Sequence, residues 1–242
     1  MVTHIGLATQ TNIIGNLNKV LMENLLIFGD SFADPMPVKD RHLFLYTWPN
    51  KLSKKFITQN FAVSGTGPDF SLQKFLTVDK DINKKDNTLI IFCISSISRF
   101  NFKFFEPKDQ ILINHLLQSS MPTKLQDIAN KYFEFKPFIE KFFKQYIYHS
   151  TYLETEITKL LLILKYLTRN YKKTIVLPCF DNISPDLLNY TNSDNFFVYK
   201  NALMQYNRID IEVDYRPNHM DEDHHKKFYD YILTLLRSNN EW

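Results

Sequence analysis

Apolar residues along the chain gather into five short runs separated by longer polar stretches. They fall at 24–28 (NLLIF), 56–62 (FITQNFA), 88–94 (TLIIFCI), 174–178 (TIVLP) and 208–213 (RIDIEV). Runs of this length, rich in Ile, Val, Phe and Thr, predict β-strands. The third and fourth are nearly continuous in Leu, Ile, Val and Phe, the pattern of strands buried on both faces. Between the runs the spacing becomes helical. Over 151–170, Leu160, Leu161, Leu164 and Leu167 recur at helical intervals, and Thr151 and Glu154 have the spacing of a capping box. A last helix is predicted over 221–236, with Asp221 as N-cap and Phe228, Tyr231, Ile232, Leu235 and Leu236 on one face.

Strands alternating with helices predict an α/β domain of three layers, α/β/α, around a central, mostly parallel five-stranded sheet. The segment 103–150 is aromatic and punctuated by Pro107, Pro122 and Pro137, and reads as a helical insertion between strands 3 and 4. Its aromatic residues read as core rather than as a substrate lid. A chain of 242 residues, 44% hydrophobic, buries a substantial core. The expected organisation is a single domain over 22–242, with residues 1–21 as an N-terminal extension, because Met22 stands just before the first strand.

Charge narrows the class of partner. Lys and Arg number 29 against 26 Asp and Glu, and they fall in scattered pairs such as Lys54-Lys55 and Lys172-Lys173. Phosphate backbones require clustered cations, so nucleic acid is not an expected partner. No run has the length of a membrane span, since the most apolar helical stretch, KLLLILKYL at 159–167, is interrupted by Lys165. The N-terminus lacks a charged start followed by an unbroken apolar stretch, so a cytoplasmic location is expected by elimination. Cys93 and Cys179 each stand at or just past the end of an apolar run and read as buried free thiols rather than a disulfide.

Three features carry candidate chemistry. The first strand runs into Gly29-Asp30-Ser31, which reads either as a plain turn or as a serine delivered to the sheet edge. A serine hydroxyl becomes a nucleophile only with a base to take its proton and donors to hold the resulting oxyanion. The second strand is followed by Ser64-Gly65-Thr66-Gly67, so three of the chain's five glycines, Gly29, Gly65 and Gly67, fall at strand ends. The third feature is DYRPNHMDEDHHKKFYDYI at 214–232. Of its histidines, His219 precedes the helix, while His224 and His225 lie inside it, so His219 is the candidate base. A metal site in HMDEDHH fits poorly, because His219 and His224 are five apart and helical ligand pairs stand three or four apart. Asp221, Glu222 and Asp223 are explained as negative charge at a helix N-terminus.

In this order the three features resemble the SGNH or GDSL hydrolase superfamily. Gly29-Asp30-Ser31 matches its first block, Ser64-Gly65 its second, and the stretch from His219 onward its last. The resemblance implies a serine esterase that hydrolyses or transfers an acyl group, with Ser31 as nucleophile and His219 as base. It further implies an oxyanion hole from the backbone of Ser31 and Gly65, and it implies neither a metal nor an organic cofactor. Two departures stand out. Where the family carries an oxyanion Asn after the third strand, this chain has CISSISRFNF, leaving Ser96 and Asn101 as candidate donors and Arg99 nearby. Three residues before His219 the family has Asp and this chain has Arg216, so Asp214 is the candidate partner of the imidazole. By family analogy the expected substrate is a small-molecule or carbohydrate ester, an O-acetylated sugar first among them. The competing expectation, prompted by the two departures, is a catalytically inactive protein that keeps the fold for binding.

Overall fold

The computed structural model of the chain describes residues 23–34, 47–83, 85–96, 150–180, 195–203 and 222–237, together with Pro137, Lys141 and Gln145. Five strands pair into one parallel sheet: β1 (Asn24–Phe28), β2 (Ile57–Asn60), β3 (Thr88–Ile94), β4 (Lys173–Pro178) and β5 (Phe196–Val198). Their order is β2-β1-β3-β4-β5, with every pairing parallel. The helices are α1 (Trp48–Leu52), α2 (Pro68–Asp79), α3 (Ser150–Asn170) and α4 (Glu222–Arg237), and a 3-10 turn at Lys85–Asn87 leads into β3.

Alternation along β1 sorts the core into two layers. Leu25 and Ile27 point to the side of Trp48, Leu52, Phe228, Ile232 and Leu235, which belong to α1 and α4. Leu26 and Phe28 point the other way, onto Leu72 and Phe75 of α2 and Leu160, Leu164 and Leu167 of α3. The sheet is therefore covered on both faces, and β3 is buried at all seven positions, as its unbroken apolar run requires. Leu164 has no exposed surface, so its truncation to alanine costs about 2–5 kcal/mol. The predicted apolar face of α4 is borne out at Phe228, Ile232, Leu235 and Leu236, with Tyr231 partly buried beside them.

Two expectations need restating. The fifth described strand is Phe196–Val198, a three-residue element between Asn195 and Tyr199 that is not among the five runs predicted from the sequence. The run 208–213 lies outside the described residues. In α3, Ser150 is already helical, so Thr151 sits inside the helix, and its carbonyl accepts from the Thr155 hydroxyl at 2.8 Å. Helix α3 occupies the long connection between β3 and β4, where helical structure was expected. Of the stretch 103–150 only Pro137, Lys141, Gln145 and Ser150 are described, and all four are helical, while residues 1–21 lie outside the described residues. No helix among the described residues is long and apolar enough to cross a membrane.

Candidate active site at the sheet's switch point

The strand order reverses at β1, whose neighbours β2 and β3 lead the chain away in opposite directions. In open parallel sheets such a reversal leaves a crevice beyond the carboxyl ends of the strands, and ligands bind there. The register brings those ends level: Phe28 of β1 stands opposite Phe92 of β3, and Ile94 of β3 opposite Pro178 of β4. Three short segments therefore leave the sheet side by side. They are Gly29-Asp30-Ser31 after β1, Ser95-Ser96 after β3 and Cys179-Phe180 after β4.

After β1 the backbone closes one helical turn, in which the N–H groups of Ala33 and Asp34 donate to the Asp30 carbonyl at 3.0 and 2.9 Å. The Asp30 carboxylate caps that turn by accepting from the Phe32 N–H at 3.1 Å. Ser31 is thus the first residue of a capped turn, 8% exposed, at the switch point. Gly29 allows the entry. Its φ is 157°, and a Cβ at this position would lie 2.5 Å from the Cβ of Cys93 on the neighbouring strand. No side chain fits there.

The loop after β2 is laced to this turn. The Val63 N–H donates to the Gly29 carbonyl at 3.1 Å, and Asn60 Nδ2 donates to the Ala33 carbonyl at 2.7 Å. Ser64 donates to Asp34 Oδ2 twice, from its N–H at 2.7 Å and from its hydroxyl at 2.5 Å. Gly65 then turns the chain with φ of 76°, while the Thr66 N–H and hydroxyl both return to the Val63 carbonyl. Glycine is the residue that reaches this conformation without Cβ strain. Gly67 has φ of −95° and is the N-cap of α2, followed by Pro68 in the first turn. Its role is that of a plain helix start.

From the other side, Ser95 Oγ donates to Asp30 Oδ2 at 2.7 Å, and Cys179 Sγ lies 3.3 Å from Asp30 Oδ1. Asp30 is fully buried, and Ser96, next to Ser95, is 6% exposed. Cys93 and Cys179 are both buried free thiols, as the sequence suggested. Burial pushes the Cys179 thiol well above its usual range, and its neighbours Cys93 and Asp30 add to the effect. On the α1 side, Trp48 Nε1 donates to the Phe32 carbonyl at 3.0 Å, and the Trp48 N–H reaches Nδ1 of the buried His225 at 3.4 Å. His225 thereby joins α4 to α1.

Of the residues singled out in the sequence, Ser31, Gly65 and Ser96 lie at this edge of the sheet. His219, Asp214, Asn101 and Arg99 lie outside the described residues. Three side chains take parts in the arrangement that the sequence does not assign them: Asp34 as acceptor for Ser64, and Ser95 and Cys179 as partners of the Asp30 carboxylate. Their positions at the ends of strand-turn segments were the available signal, whereas their contacts span 30, 65 and 149 positions of chain. Among the described residues no three His, Cys, Asp or Glu side chains group as a metal site. No protein-family model and no curated protein matches the chain.

Proposed function

We propose that the protein is a serine esterase of SGNH type, which hydrolyses or transfers a small acyl group. The observation that carries this reading is the placement of Ser31 on a capped turn at the switch point, hydrogen-bonded through its own loop to the Ser64-Gly65 turn. In this mechanism Ser31 Oγ attacks the ester carbonyl and His219 takes the hydroxyl proton. Asp214 holds the imidazole in the tautomer that can accept it. The carbonyl oxygen becomes an oxyanion facing the backbone N–H groups of Ser31 and Gly65, with Ser96 or Asn101 as a further donor. His219 returns the proton to the departing alcohol, and water or an acceptor alcohol then releases the acyl group from Ser31.

The slight exposure of Ser31 supports a small acyl group over a long one, because a bulky acyl chain needs an open approach to the nucleophile. Acetyl esters of carbohydrates are the substrate class favoured on this ground and by the family resemblance. The test is turnover of a panel of aryl esters of increasing acyl length by the purified chain. Activity greatest for acetate, and abolished by Ser31→Ala, supports the proposal; equal turnover by Ser31→Ala contradicts it.

A further inference from the structure

The Asp30 carboxylate collects donors from three separate pieces of chain. Oδ1 receives the Phe32 N–H of its own turn at 3.1 Å and faces the Cys179 thiol from the end of β4 at 3.3 Å. Oδ2 receives the Ser95 hydroxyl from the end of β3 at 2.7 Å. Asp30 has no exposed surface and Ser95 almost none, so a donor lost here is not replaced by bulk water. Ser31 stands between Asp30 and Phe32, the two residues this carboxylate ties together. We propose that Ser95 and Cys179 are positioning residues that act through Asp30 to fix the turn carrying Ser31.

The chemistry of each partner suits the task. A carboxylate that accepts several hydrogen bonds holds each donor more firmly than a neutral acceptor does. The Cys179 thiol is held in its protonated form by burial, and S–H is the form that donates. Its floor is fixed as well, since the Cys179 N–H continues the β3–β4 ladder by donating to the Ile94 carbonyl at 2.9 Å. The clamp thus refers the turn after β1 to two neighbouring strands of the sheet. It extends the esterase reading by naming what orients its nucleophile, but its geometry stands without that reading.

Two paired sets of variants test it: Ser95→Ala beside Ser95→Thr, and Cys179→Ala beside Cys179→Ser. In each pair the first member deletes the donor and the second keeps one. Amide hydrogen exchange of the 29–34 segment reads the turn directly, through the Ala33 and Asp34 N–H groups that bond the Asp30 carbonyl. The expected result is exchange at least ten-fold faster in the alanine variants, recovered in the hydroxyl-bearing ones, with the strand interiors of β3 and β4 unchanged. The rate of Ser31 labelling by a fluorophosphonate should fall in parallel, at unchanged half-saturation by the probe. Unaltered exchange over 29–34 in both alanine variants overturns the clamp, and so does acceleration spread evenly over the whole sheet. If the wild type takes no label while exchange responds as expected, the clamp stands and the esterase reading falls.

Discussion

Gly29 lies so close to Cys93 that a methyl group on it would come within 2.5 Å of the Cys93 Cβ. The contact sits at the exit of β1, one residue before the buried Asp30, and both backbones are held by the sheet. Neither can withdraw without breaking ladder hydrogen bonds. Gly29→Ala is therefore expected to destabilise the fold by about 1–3 kcal/mol, the usual cost of overpacking. Because the clash is with Cβ, adding Cys93→Ala should give no relief, whereas adding Cys93→Gly should. A double-mutant cycle in urea checks this, and equal coupling for the two Cys93 variants would contradict the stated geometry.

Gly65 owes its place to backbone conformation rather than to crowding. With φ at 76° it lies where an L side chain costs roughly 1–2 kcal/mol. Gly65→Ala is expected to lower the urea midpoint by a corresponding amount without changing the slope of the transition. It should also slow ester turnover more than its stability loss explains, since the Gly65 N–H would move relative to Ser31. Turnover at the wild-type rate in the folded variant would remove Gly65 from the proposed oxyanion hole.

A buried acid links the helices α2 and α3. Glu156 is 3% exposed, is hydrogen-bonded by Lys159 at 2.5 Å and lies against Asp69 in the first turn of α2. Burial raises its carboxyl above the ordinary value of 4.5, and the Asp69 charge raises it further against the opposing pull of Lys159. The folded state then holds this proton more tightly than the unfolded state. The associated stability is complete below the unfolded value and is lost as pH rises through the folded one. Glu156→Gln, which mimics the protonated acid, should gain melting temperature over the wild type as pH rises from about 4.5 toward neutrality. A difference that stays constant from acid to neutral pH would exclude this behaviour.

Much of the fold is legible because burial leaves a direct mark on composition. β3 and β4 have to be apolar on both faces, so their runs in the sequence are nearly unbroken. The α4 stripe is legible for the analogous reason at helical spacing. β5 leaves no such mark, because three residues are too few to show a period. At the site, Ser31 and Gly65 were readable from their places at strand ends in a glycine-poor chain. The clamp on Asp30 was not, because Ser95 and Cys179 reach it only once parallel strands have brought distant segments level. No local spacing encodes that meeting.

Polar lacing at the switch point has a general consequence for how this edge of the sheet behaves. The Asp34–Ser64, Asn60–Ala33 and Val63–Gly29 bonds fasten the first two loops to each other, and Asp30 fastens the first to β3 and β4. On the proposed reading, Ser31 set on such a support would lose little freedom on reacting, which would lower the entropic part of the barrier.

An activated Ser31 is open to covalent capture. The purified chain would be incubated with a fluorophosphonate and read by intact mass, beside Ser31→Ala and His219→Ala, across a range of pH. The wild type should carry a single phosphonyl adduct, absent from Ser31→Ala and nearly absent from His219→Ala. Its rate should rise with pH as the His219 imidazole loses its proton, because only the neutral ring accepts one from serine. A folded wild type that takes no adduct would favour a binding protein built on the same fold, and an adduct that persists in Ser31→Ala would remove Ser31 as the nucleophile.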